Sequence, residues 1–144
     1  MSGGFLEGQR FRPENNQLIM EVKTNTKEKF HVIGVAAPHL SALMAEDLCN
    51  RLQQYLQGTP RNVVVNLKDV KSMDEVAAEC LVKSQQQFYE NGASFVLCEL
   101  NPEVEQFLDE KDLLELINAT PTESEAGDIV QMEEIERELL DEEE

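Results

Sequence analysis

The run Val63-Val64-Val65, closed at either end by Asn62 and Asn66, constrains the fold of this chain more than any other stretch. Three adjacent β-branched residues leave a strand no face for water. The run therefore predicts a strand covered on both faces, as strands inside parallel sheets are. A polar-leaning turn follows, Leu67 to Ser72, with Leu67 and Val70 as its apolar pins. Met73, Ala77, Cys80, Leu81, Ser84 and Phe88 then recur at spacings of three and four, which places them on one face of a helix opening at Met73-Asp74.

The rest of the chain repeats this alternation. Leu18 to Lys23 predicts a strand, Thr24 to Lys27 a turn, and Glu28 to Ala36 a second strand with Phe30, Val32 and Ile33 or Val35 facing inward past Gly34. Pro38 stops that strand, and Ser41 caps a helix whose apolar stripe is Leu43, Met44, Leu48, Leu52, Tyr55 and Leu56. Gly58 stands at the C′ position and Pro60 prevents continuation. After the 62–67 strand and a helix from Asp74 to Asn91 ended by Gly92, residues 93–100 form another short apolar strand. Asn101-Pro102 opens a short helix with Val104, Phe107 and Leu108 on its apolar side. Leu113, Leu114, Leu116 and Ile117 suit a connector and edge strand, and Pro121 to Ala126 starts a terminal helix with Thr120 or Thr122 as cap.

The predicted order is β-β-α-β-α-β-α-β-α. It is an α/β fold with a mixed sheet whose later strands are parallel and joined by right-handed crossovers. A length of 144 residues suits one domain. We expect a loose segment at 1–16, the domain at 17–130, and an acidic helical extension with a disordered end at 131–144.

Net charge is −17, and residues 121–144 supply −10 of it through eleven acids against the single Arg137. Such a surface repels phosphate backbones and anionic lipid, so nucleic acid and membrane surfaces are poor partners. No apolar run is long enough to span a bilayer, and the first residues lack a basic leader with an apolar core; both point to a cytoplasmic location. Cys49, Cys80 and Cys98 are widely separated within apolar periodic segments and read as three buried thiols. There is no CxxC, no Cys/His cluster and no glycine-rich phosphate loop, hence no expected metal or cofactor. His31 alternates along a strand and His39 has no acid or thiol near it in sequence, so neither suggests catalysis.

The Asn62–Leu81 segment resembles the STAS domain of bacterial anti-sigma-factor antagonists. In that family a hydrophobic strand runs into a loop ending Met-Asp-Ser-Ser/Thr-Gly, and a partner kinase phosphorylates the hydroxyl just after the aspartate. The resemblance extends over residues 17–130: Gly92, the strand at 94–100 and Asn101-Pro102 follow in family order, as does Pro121-Thr122 with Glu125-Ala126. Pro38 stands where the family commonly has Gly, and Ser41 where it commonly has Asp. The matching switch residues here are Met73-Asp74-Glu75-Val76-Ala77, so Glu75 and Val76 occupy the phosphoacceptor positions without a hydroxyl.

The resemblance implies a non-catalytic protein-binding module. Its docking surface comprises Lys68, Asp69, Lys71, Ser72, Met73, Asp74, Glu75, Val76, Ala77 and Glu79, helped by Pro38 to Ala42. The implied partner is an anti-sigma or switch-kinase-like regulator, with a subunit of a transporter, such as a lipid transporter, as the alternative. Two explanations are open for Glu75: a permanent partial mimic of phosphate, or an acidic residue favoured in any first helical turn. Asp74 is expected to cap its own helix. Ser72 is either a displaced phosphoacceptor or an ordinary turn serine. Ile129, Met132, Ile135 or Glu136, Leu139 and Leu140 continue the terminal helix to about Leu140. Its apolar edge packs on the domain, on a second copy as a homo-oligomer, or on a partner.

Overall fold

The computed structural model describes residues 8–11 and 20–143. Its strands are β1 (Gly8–Phe11), β2 (Met20–Thr26), β3 (Phe30–Ala36), β4 (His39–Leu40), β5 (Asn62–Asn66), β6 (Ser72–Met73), β7 (Phe95–Cys98) and β8 (Ala119–Thr120). Its α-helices are α1 (Ala42–Gln54), α2 (Glu75–Glu90), α3 (Pro102–Glu110) and α4 (Glu123–Glu143). Six strands form one sheet in the order β1-β2-β3-β5-β7-β8, and β4 pairs with β6 separately. β1, β2 and β3 are antiparallel, and β3, β5, β7 and β8 are parallel, as alternation with helices requires.

The valine run sits at the sheet centre, where Val63, Val64 and Val65 are all buried. The two-residue period of a strand turns Val63 and Val65 to one layer and Val64 to the other. The first layer holds α1, α2 and α3: Ile33, Val35, Val65, Phe95 and Leu97 pack with Leu48, Leu52, Leu81, Phe88, Val104 and Leu108. The second is smaller and belongs to α4, where Phe30, Val32, Val64, Val96 and Cys98 meet Ala126 and Val130. The choice left open between Ile33 and Val35 thus resolves as both, on the α1–α2 side, with Phe30 and Val32 opposite.

Asn62 and Asn66 share the parity of Val64 and fasten α4 at two points. Asn66 donates from Nδ2 to Glu123 at the start of the helix (3.0 Å). Asn62 donates to Glu134 (2.7 Å) and to the Lys29 carbonyl (3.0 Å), and its Oδ1 accepts from the Ser94 amide (2.7 Å) and from Arg137 (3.2 Å). Every polar valence of this buried amide is used.

Several expectations change. The hairpin turn lies later than predicted: β2 runs to Thr26, and the Lys27 amide closes the turn on the Phe30 carbonyl (2.7 Å). Residues 8–11, within the segment expected to be loose, pair with β2 as an edge strand; Leu18 and Ile19 lie outside the described residues. Ser41 caps α1 as predicted, accepting from the Met44 amide (3.2 Å). Leu43, placed in the α1 stripe, is exposed instead. It precedes Leu48 by five residues, about 140° around the helix. Gly58 is extended at φ −122°, after a short 3-10 turn at Tyr55–Gln57, whereas Gly92 at φ 68° is the left-handed cap that ends α2. Leu114–Leu116 forms a 3-10 turn, and the edge strand comes two residues after Ile117. For α4 the cap is Thr122, whose hydroxyl accepts from the Glu125 amide (3.1 Å) and donates to the Glu125 carboxylate (3.1 Å). The helix continues to Glu143, past its expected end near Leu140.

Cys49 and Cys98 are buried and Cys80 is half-buried, so one of the three thiols reaches solvent, against the expectation of three buried ones. Burial pushes the Cys49 thiol up to about 11, and burial with the Glu123 and Glu99 carboxylates pushes Cys98 up to about 12. Alkylation of the folded protein at neutral pH should therefore modify Cys80 first and leave Cys49 and Cys98 untouched until unfolding. Peptide mass spectrometry checks this; equal rates at all three sites would contradict the packing.

Candidate functional site

The loop after the central strand is tied on all sides. The Asn66 side chain accepts from the Lys68 amide (2.9 Å), and the Val70 amide returns to the Leu67 carbonyl (3.0 Å). Leu67 and Val70 are fully buried pins, as predicted. Asn101 was expected only to open α3. Its side chain makes no cap bond there and instead donates to the Lys68 and Val70 carbonyls (2.9 and 2.7 Å). The Pro38 carbonyl accepts from the amides of Lys71 (2.7 Å) and Ser72 (3.1 Å). Neighbours thus supply partners for the backbone polar groups of this loop.

The parallel pairing of β4 with β6 sets His39 beside Ser72 and Leu40 beside Met73. Leu40 and Met73 turn into the core, so His39 and Ser72 face out. The fold thereby assembles a contact that the sequence conceals: His39 Nδ1 lies 2.7 Å from Ser72 Oγ, and Nε2 lies 3.0 Å from Asp74 Oδ1. A carboxylate only accepts, so Nε2 donates to Asp74, and Nδ1 is within hydrogen-bond distance of the Ser72 hydroxyl. His39, unpartnered in sequence, has two partners 33 and 35 positions away.

The second oxygen of Asp74 accepts from the Ala42 amide at the start of α1 (2.9 Å). No side-chain bond reaches α2, so Asp74 caps the neighbouring helix and not its own. This hydroxyl–imidazole–carboxylate array has the membership of a hydrolytic triad, which the sequence did not suggest. Yet His39 and Asp74 are 50% and 45% exposed, and acyl transfer needs a water-excluded oxyanion site. What the array does is fix the starts of α1 and α2 to each other.

Of the proposed docking residues, Lys68, Asp69, Lys71, Ser72, Glu75, Val76 and Glu79 are exposed and Asp74 is half-exposed. Met73 and Ala77 are buried in the core, which removes them from any contact surface. Their apolar character in the motif serves packing: β6 alternation buries Met73, and Ala77 lies on the inner face of α2. Leu43, at the first turn of α1, joins the exposed set together with Val76. Glu75 pairs with Lys111 at the end of α3 (3.6 Å). Both side chains are about half exposed, so the pair contributes little to stability, but it partly offsets the charge of Glu75. Away from this surface, His31 donates to the Pro60 carbonyl (3.0 Å), accepts from Thr26 (2.8 Å) and stacks on Tyr55 at 4.3 Å. Burial lowers its pKa, with the Pro60 bond opposing.

Among the described residues no helix is long and apolar enough to cross a membrane, and no cluster of three His, Cys, Asp or Glu side chains could hold a metal ion.

Known structures share this architecture. An anti-sigma-factor antagonist (STAS) domain protein from Planctomyces limnophilus superposes with TM-score 0.63 at 22% identity, over 73% of this chain and 93% of that one. An anti-sigma factor antagonist from Mycobacterium paratuberculosis gives TM-score 0.67 at 14% identity, over 84% and 99%. The murine anion transporter Slc26a9 contains a similar unit, with TM-score 0.63 at 12% identity, over 88% of this chain and 22% of the transporter. No curated protein matches the sequence. The family model described as STAS domain matches residues 21–126, most of the chain. The chain belongs to the STAS domain family.

Proposed function

We propose that this protein is a non-catalytic docking module of the anti-sigma-factor-antagonist type, acting in the cytoplasm on a protein partner in a partner-switching pathway. The supporting observation is that Val76 and Leu43 are both exposed, each in the first turn of a helix whose start Asp74 holds, with the exposed charged side chains of Lys68, Asp69, Lys71, Glu75 and Glu79 on the adjoining loop and helix start. Apolar side chains beside charged ones, on helix starts already fixed to each other before any partner arrives, suit recognition with little ordering cost. The Glu75–Lys111 pair favours a constitutive binder over a phosphate mimic, since part of the charge is already engaged within the protein. A stable place in a transporter assembly is the second reading, favoured by the similar unit in a transporter chain.

Cross-linking through Lys68 and Lys71 in native cells, followed by affinity measurement on the captured protein, tests the proposal. The expected partner is a kinase-type regulator; a transport protein would select the second reading. Glu75→Ala should bind within about threefold of wild type, whereas Val76→Glu should bind at least about tenfold more weakly. Unchanged affinity for Val76→Glu would remove this surface from the mechanism.

A further inference from the structure

The terminal helix has a second face that the sheet does not use. Ala126, Val130, Glu133 and Arg137 point inward, the last two to Ser94 and Asn62. On the far side, Met132, Ile135 and Leu139 follow at i, i+3 and i+7, and each is 55–57% exposed. Leu140 (64%) lies about 100° further round the helix, past Glu136, and lines a groove with Tyr89 (75%), the most exposed large apolar side chain among the described residues. Asn62 anchors this half of α4 at the beginning of β5, so the stripe lies at the opposite end of the sheet from the Ser72–Asp74 surface.

We infer that this face of α4 is a second docking surface, and that its occupant is a cationic amphipathic helix of a protein partner. The spacing carries the first half of the statement: an i, i+3, i+7 stripe about 10 Å long is what a partner helix meets with its own apolar stripe. Charge carries the second half. Exposed Glu136 and Glu138 flank Ile135 and Leu139, and the sequence ends in four consecutive acids. The helix holds one cation, Arg137, which is turned inward to Asn62 and Glu134; Lys27 and Lys29 line a groove with the Glu123–Gln131 stretch. A second copy of α4 would set acids against acids along the whole contact, in either orientation, and an anionic bilayer would be repelled likewise. Lysines and arginines flanking leucine or isoleucine match both features. This surface does not depend on the function proposed for the Ser72–Asp74 end.

The test uses the full chain and a fluorescein-labelled 18-residue amphipathic helix of leucine and lysine, with its leucine–glutamate counterpart as control. Wild type should bind the lysine peptide, with amide shifts confined to residues 128–143 and the Tyr89 region. Ile135→Ser/Leu139→Ser should weaken binding at least tenfold, and Glu136→Gln/Glu138→Gln severalfold. Both pairs are exposed, so melting temperatures should stay near wild type. Three results would overturn the inference. One is equal binding by the serine variant, which would mean acid–base attraction alone; another is equal binding of the glutamate peptide. The third is a dimer in light scattering that the serine variant dissociates, because a second copy would then already cover the stripe.

Discussion

Phe88→Ala is expected to cost about 3–5 kcal/mol of folding stability, the largest effect of any single truncation considered for this chain. The ring is fully buried near the end of α2 and lies 5.3 Å, at a 55° tilt, from Phe95 on β7. Its removal loses transfer energy and leaves a cavity between a helix and the sheet, two elements that cannot collapse independently of Leu81 and Leu97 on either side. Against a total stability on the order of 5–15 kcal/mol, such a loss threatens the fold itself. Urea unfolding followed by far-UV circular dichroism measures it, since the chain has no tryptophan to report by fluorescence. Phe88→Leu should retain more than half of the stability lost in Phe88→Ala. A cost below about 1 kcal/mol for alanine would mean that the site closes over the cavity, contrary to the packing described.

The second large effect is expected at Asn62, where polar pairing and not volume is at stake. Asn62→Leu keeps the size of the side chain but removes all four of its hydrogen bonds. The Lys29 carbonyl belongs to an exposed residue, and Glu134 and Arg137 retain each other at 3.7 Å. Ser94 is the exception: it is 2% exposed, and its amide depends on Asn62 Oδ1. Stranding one buried donor costs about 1–3 kcal/mol, and losing the clip on α4 adds to it, so a total of about 3 kcal/mol is expected. Hydrogen exchange distinguishes this from a general loss of stability. Amides of residues 133–140 should exchange faster relative to those of α2 in Asn62→Leu, and not in Phe88→Ala.

The fold was legible because its evidence is local. Three consecutive valines need a covered strand, and Ala77, Leu81, Ser84 and Phe88 need one buried helical face; both demands were met where the sequence put them. Boundaries were harder. Leu113 and Leu114 pack beneath the helical layer from a turn, so their apolar character did not mean a strand. The site was only half legible. Exposed Lys68, Lys71, Glu75 and Val76 followed from their place after the strand, but the roles of Asp74, His39 and Asn101 did not. Each of these bonds to a group more than 30 positions away, a distance across which periodicity and capping rules carry no information. Met73 shows the converse error: it was counted both on the apolar face of the following helix and in the docking surface, whereas it lies on a short strand whose alternation buries it.

The bond from the Ala42 amide to Asp74 has a mechanical meaning. One helix begins before the central strand and the other after it, yet a single carboxylate holds both starts and is itself held by an imidazole. The two tips therefore form one plate. In the docking proposed above, a partner resting on Val76 would meet Leu43 at a spacing that neither residue sets. That spacing is held by a side chain whose two oxygens are already committed to joining the helix starts.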